Sequence, residues 1–477
     1  MKNASKSLLK NTTILTFGLL CTKGIMFIMT PLFTKWMSQN DYGTFDILLG
    51  YVTLIIPLVT IDMGEALFRF LIGQQNKETD IIISTAFVVF LAGTFIFTSF
   101  MLAFIFIGAQ ELEIVSAFCI AVIMEIAYTF LTMVSRGLKK LKEFTIANLI
   151  YILCMVVASI VLVRNLHMSV VGLLLSHSLG YLVACVFMTI NTKIISHIHF
   201  RKFSIETFKH MARYSLPLIP NVVGWWIISI SDRTIVSYFL GFESNAILSV
   251  SHKVPNLCQT LFSRFHLSWA QSAAETIDSA ERDEFYHSVF NKLIQITCSG
   301  VSLLCSVNYF FFLLYSKEYF GGYYITPVLF VAIVIYICSQ FLGGIHNAML
   351  KTKINGKTTA LGAGVNLLVH ILLVRYIGLF AAVLSSLMAY TVIFAIRYKY
   401  TRSDVQLHIS SASVFSFVMM LFFALSNYIL PEQLVVRMMV LILCLIIILL
   451  VNRKNMNTII TWIKKKYFSR ICKEKQK

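Results

Sequence analysis

The chain has 477 residues, 58% of them hydrophobic and only 13% charged, with a formal net charge of +18 and a mean hydropathy of +0.79. Soluble globules carry about 25% charged residues, so that class is excluded. Apolar runs of about twenty residues exclude an outer-membrane barrel, whose strands alternate over about ten, and basic residues confined to short loops and the tail argue against nucleic acid as partner.

What remains is an all-α polytopic membrane protein. Spans are predicted near 12–34, 44–64, 81–107, 113–134, 146–164 and 169–190. A basic connector, NTKIISHIHFRKFSIETFKHMAR, follows, and spans resume near 214–235, 246–266, 289–315, 323–347, 358–376, 378–397, 409–429 and 434–452. That makes about 14 transmembrane helices. The first run has no small-residue cleavage site and is too long for a signal h-region, so it reads as a retained helix. About 32 of the 40 Lys and Arg residues fall on the side of the N-terminus, which predicts a cytoplasmic N- and C-terminus. The tail IITWIKKKYFSRICKEKQK reads equally as an interfacial helix or as a solvated basic end.

A weak internal repeat relates FTKWMSQNDYGTFDILLG, from Phe33, to IVSYFLGFESNAILSVSH, from Ile235, and the connectors RGLKKLKEF and LKTKINGKT occupy matching places. The expected organisation is a six-helix lobe over 1–192 and a cytoplasmic connector over 193–213. A second six-helix lobe over 214–400, helices 13 and 14 within 401–453 and a basic tail over 454–477 complete it. Repeats of this kind typify transporters that alternate access between halves.

The middle stretch 213–253 concentrates the informative residues. Pro217 and Pro220 interrupt a segment otherwise fit to span, Asp232 and Arg233 lie near its far end, and Lys253 lies in the next span. Ionisable groups at membrane depth are costly, so each is read for function against a structural alternative. Lys23 is mid-bilayer, too deep to snorkel, and wants a cavity or a partner acid such as Glu125. Lys253 is about 10 Å into its span and can either snorkel or face a cavity. Neighbours on a helix diverge, so Asp232 and Arg233 do not pair with each other; Arg233 faces either a cavity or the outer interface. Asp62, Glu65 and Arg69 share one helix face and read as helix-end charge or as a gate, with a Glu65–Arg69 pair available. Glu125 is a proton or sodium site or a counter-ion. His177 and His370 read first as packing residues. The ten cysteines form no CxxC pair, so neither a metal site nor a disulfide framework is indicated. No phosphate-binding loop, HExxH or GxSxG occurs, so neither an enzyme nor a cofactor is expected.

The segments ARYSLPLIPNVVGWWIISISDRTIVSYFLG and SVSHKVPNLCQTLFSRFHLSWAQSAAE, with ERDEFYHSVF, resemble the polysaccharide biosynthesis family of O-antigen and capsule flippases. That family belongs to the multidrug, oligosaccharidyl-lipid and polysaccharide exporter superfamily. TKGIMFIMTPLFTKWMSQNDYGTFDI and IDMGEALFRFL resemble its first two helices. The resemblance implies two lobes around a cavity lined by helices one, two, seven and eight. It implies translocation of an undecaprenyl-pyrophosphate-linked oligosaccharide across a bacterial cytoplasmic membrane, with a polysaccharide polymerase and assembly proteins as further partners. Lys23, Arg233 and Lys253 stand where the family places cavity cations, and are expected to bind substrate. Asp62, Glu65, Arg69, Glu125 and Asp232 are expected at a gate or ion-coupling site. The alternatives are a drug or cation antiporter of the same superfamily, a membrane-embedded polymerase and a membrane scaffold.

Overall fold

A computed structural model describes residues 21–72, 76–106 and 111–451. Every regular element among them is helical. Ten of these helices are long and apolar enough to cross a membrane. The start of the first predicted span and the basic tail lie outside the described residues.

In chain order the helices are α1 (21–36), α2 (Gln39–Val59), α3 (Met63–Leu71), α4 (Asn76–Phe106), α5 (Leu112–Gly137) and α6 (Leu141–Ser159). They continue with α7 (Ser169–Thr192), α8 (Ile205–Ser215), α9 (Ile219–Leu240), α10 (Phe242–Ser251), α11 (Lys253–Glu275) and α12 (Arg282–Leu314). The rest are α13 (Gly322–Ala348), α14 (Thr352–Ile377), α15 (Phe380–Arg402), α16 (Ser411–Ile429) and α17 (Leu434–Val451).

Two predicted spans are broken. The one near 44–64 stops at Val59, and Ile61 and Asp62 take positive φ, 47° and 50°, before α3 begins. Pro57 lies in the last turn of α2, and its carbonyl accepts from the Asp62 amide at 2.7 Å, one residue beyond α-helical spacing. The span near 246–266 divides at His252 into α10 and α11. Pro255, in the first turn of α11, has no N–H to donate, and its ring would clash with the carbonyl of Ser251 in a continuous helix. Pro217 and Pro220 fall in a short 3₁₀ turn and the first turn of α9, where a missing N–H costs least.

The described chain divides into two compact units. The first holds residues through Leu257 together with Tyr315–Tyr319 and Ala363–Ala382. Within it α2 is the organising helix. A Cβ at Gly43 would stand 1.9 Å from the Phe242 carbonyl oxygen, and one at Gly50 would stand 2.9 Å from Ile230 Cγ2. Two glycines seven apart share a helix face, so this face of α2 lies directly against α10 and α9. Asn245 donates to the Gly43 carbonyl at 2.9 Å, and Trp226 to the Gly50 carbonyl at 2.9 Å. Gly43 and Asn245 are equivalent positions of the sequence repeat, so its two copies meet here. In the second unit Trp269 stacks on Phe341 at 4.0 Å and donates to that residue's carbonyl at 3.0 Å.

Candidate functional site

The close seating of α2 carries Asp46 into a cluster of charges inside the first unit. Asp46 is 5% exposed, one turn along from Gly43 on the same face. Its Oδ1 accepts from Ser249 Oγ of α10 at 2.6 Å and lies 3.8 Å from Lys253 Nζ. Its Oδ2 stands 2.9 Å from Arg233 Nη1 of α9, yet receives no directed hydrogen bond. The contact is charge against charge. Lys253 Nζ also lies over the Tyr42 ring, 5.7 Å from its centroid. Lys23 on α1 is exposed, and its charge acts on that of Lys253. Two cations thus meet one buried carboxylate, and the charge of a third acts on one of them.

Two of the three predicted cations, Arg233 and Lys253, therefore meet at one acid. That acid is absent from the sequence-derived candidates: Asp46 sits near the edge of an apolar run, where an acid reads as loop charge. Asp232 turns away from Arg233, as the helix geometry requires, and its Oδ1 pairs with His370 Nδ1 of α14 at 2.8 Å. Both members are buried, and the His370 Nε2 atom is enclosed without a hydrogen-bond partner among the described residues.

Farther along the same face of α2 lies a cavity of about 600 Å³. Thr53, Pro57 and Thr60 form its α2 wall, and Asp62, Glu65 and Glu125 bring three carboxylates to it. Asp46 to Pro57 is eleven residues, about 16 Å along the axis, so cluster and cavity are separate places. Asp62 lies past the end of the spanning helix. Burial, and secondarily the charge of Glu65, raises its carboxyl to about 6. Arg69 is exposed, and neither a Glu65–Arg69 nor a Lys23–Glu125 ion pair occurs among the described residues.

The second unit holds two deeply buried arginines that sequence reasoning passed over. Arg397, 3% exposed, donates to the Thr358 and Thr359 hydroxyls, each at 3.0 Å, and to the Ser339 carbonyl at 2.9 Å. Arg437, 2% exposed, donates to the Ser426 and Leu430 carbonyls at the end of α16. Such groups favour a cation at a helix C-terminus. Among the described residues neither pairs with a carboxylate, and both hold helices together.

A family model described as polysaccharide biosynthesis protein matches residues 8–266, more than half of the chain. No curated protein sequence matches. Among solved structures, a lipid II flippase MurJ in an inward closed conformation is similar over 93% of this chain and 100% of its own, with a TM-score of 0.67 and 14% identity. An inward-facing multidrug resistance MATE family transporter of the MOP superfamily is similar over 83% and 98%, with a TM-score of 0.63 and 13% identity. A MOP superfamily transporter from Pyrococcus furiosus, described as having a binding pocket of reverse polarity, is similar over 83% and 96%, with a TM-score of 0.55 and 13% identity. At these identities the likeness is one of fold.

Proposed function

This chain belongs to the polysaccharide biosynthesis protein family, and on that premise we propose that it is a flippase for a polyprenyl-pyrophosphate-linked oligosaccharide. The observation that carries the reading is the meeting of Arg233 and Lys253 at the single carboxylate of Asp46, with the charge of Lys23 acting on Lys253. With all four ionised the net charge is +2. A pyrophosphate loses its hydration on entering about 30 Å of hydrocarbon, and a fixed cationic cluster offsets that loss. Arg233 offers a planar fork for phosphate oxygens, and the two lysines offer point charges. The polyprenyl chain remains in lipid while the head group moves from the cytoplasmic to the outer leaflet. Asp46 holds Arg233 and Lys253 in place when no anion is bound, and the open hydrogen-bonding valence of its Oδ2 makes the pair exchangeable. The membrane in this reading is the bacterial cytoplasmic membrane, with both termini on the cytoplasmic side. A polymerase and assembly proteins would act on the delivered unit, an O-antigen, capsule or other surface polysaccharide repeat.

The acid-lined cavity supports a second reading, a cation antiporter of the same superfamily, because Asp62, Glu65 and Glu125 attract positive charge. Proteoliposomes separate the two. The flippase reading expects protein-dependent leaflet exchange of a labelled polyprenyl-pyrophosphate oligosaccharide, and no exchange of the same glycan on a neutral polyprenol. Export of organic cations without glycan exchange would replace it by the antiporter reading.

A further inference from the structure

Three features follow one another along the seam between α2 and α9. Arg233 stands at Asp46. Seven residues earlier, on the same face of α9, Trp226 lies against α2. Its indole N–H donates to the Gly50 carbonyl at 2.9 Å, and its ring stacks on Tyr51, 5.9 Å between centroids and 28° from parallel. Both aromatic side chains are half-buried, so the fixed pair keeps an open part. Farther along α2, about 16 Å from the cluster, comes the cavity of about 600 Å³. The polar part of its wall is rich in acceptors. Asp62, Glu65 and Glu125 supply carboxylates. The Thr53 and Thr60 hydroxyls donate to the Gly50 and Ile56 carbonyls at 2.7 Å each, which leaves their oxygens to accept. Pro57, Met133 and Val222 supply apolar patches, and no described lining residue is lysine or arginine. A volume within the range of about 300–1,000 Å³ found for small-molecule sites is far more than a bare ion needs.

We propose that the Tyr51–Trp226 pair and the cavity beyond it form the glycan subsite of the flippase, and that this subsite takes oligosaccharides free of acidic groups. The inference rests on the flippase reading and adds to it which glycans are carried. A sugar presents hydroxyl donors around its rim and C–H groups on its ring faces. The carboxylates and threonine oxygens accept from the hydroxyls, and the charged acceptors make the stronger bonds. The aromatic pair and the apolar patches cover the ring faces. With the pyrophosphate at Arg233 and Lys253, the attached sugars run along the seam past the aromatic pair, and the distal ring enters the cavity. A uronic acid or a phosphate-substituted sugar meets three carboxylates there. It would lose hydration and face like charge, with no lysine or arginine among the described lining residues to offset either. A hydroxyl or an acetamido group carries no such cost. Charge thus divides along the seam, positive at the pyrophosphate end and negative at the glycan end.

The test compares three lipid-linked probes in proteoliposomes containing the full chain. They are polyprenyl pyrophosphate without sugar, the same lipid carrying maltotriose, and the same lipid carrying that trisaccharide with its distal glucose oxidised to glucuronic acid. The wild type should exchange the maltotriose probe about tenfold or more faster than the uronic one. Glu125→Gln and Glu65→Gln each keep an acceptor oxygen and remove one charge. Each should raise exchange of the uronic probe severalfold and bring the two rates together, a gain that misfolding cannot produce. Equal rates for the two glycan probes in the wild type overturn the subsite and leave the flippase reading standing, since exchange itself continues. A ratio that neither substitution changes overturns it too, as does exchange of the sugarless probe alone. No exchange of any of the three removes the flippase reading, and the subsite with it.

Discussion

Replacing Asp46 by Asn tests the internal counter-anion. The change is isosteric and keeps an oxygen for Ser249, but removes the charge facing Arg233 at 2.9 Å and Lys253 at 3.8 Å. At an effective dielectric of about 20 these contacts are worth about 6 and about 4 kcal/mol in gross attraction. Desolvation has already consumed most of that, and removing one partner of a buried pair costs about 3–5 kcal/mol. With the Arg233 and Lys253 side chains 16% and 25% exposed, solvent reduces the expected loss of stability to about 2 kcal/mol. Anion binding moves the other way. The carboxylate repels an incoming phosphate at about 6 Å; with a dielectric of about 40 for a partly exposed cluster, its removal gains about 1.4 kcal/mol, or about tenfold in affinity. Asp46→Asn should therefore melt earlier and bind inorganic pyrophosphate about tenfold more tightly by titration calorimetry. Unchanged or weaker pyrophosphate binding in a folded variant refutes the assignment of Asp46 as counter-anion.

Gly43→Ala would press a Cβ to 1.9 Å from the Phe242 carbonyl oxygen, which is backbone and cannot rotate away. The α2–α10 contact must open, costing about 3 kcal/mol or more and loosening Asp46 from Ser249; a melting temperature equal to wild type contradicts this packing. Asp62, raised to about 6 by burial and by Glu65, binds its proton more tightly folded than unfolded. Its contribution to stability is complete below about pH 4 and is lost as the pH rises through about 6. A shift of that size is grossly about 3 kcal/mol, reduced to about 1 by solvent at this half-exposed site. Melting curves of Asp62→Asn should be flatter than wild type between about pH 4 and 7, and parallel curves would exclude the effect.

The spans themselves were legible because a bilayer admits little but long apolar helices, and α5, α7, α13 and α16 each run within a few residues of the expected bounds. The broken helices carried a signal that hydropathy ignores. Pro57 and Pro255 both stand in the sequence, and each sits within a few residues of its break. Arg233 and Lys253 were legible as charges out of place. Their shared partner was not, because the Asp46 contacts join residues about two hundred positions apart and depend on two glycines that let α2 approach α9 and α10. Arg397 was hidden for the opposite reason: at the end of a predicted span a basic residue satisfies the positive-inside pattern, and burial among hydroxyls and carbonyls leaves no trace in composition.

The central claim is that the cationic cluster carries a pyrophosphate across the bilayer. Its most direct test is leaflet exchange of a labelled polyprenyl-pyrophosphate oligosaccharide in proteoliposomes, comparing wild type with Lys23→Ala and Lys253→Gln. Neither side chain lies in a tight core, so both variants should fold. The account predicts protein-dependent exchange that both substitutions slow by about tenfold. Exchange at wild-type rate in both variants would contradict the site, and no exchange by the wild-type protein would contradict the function.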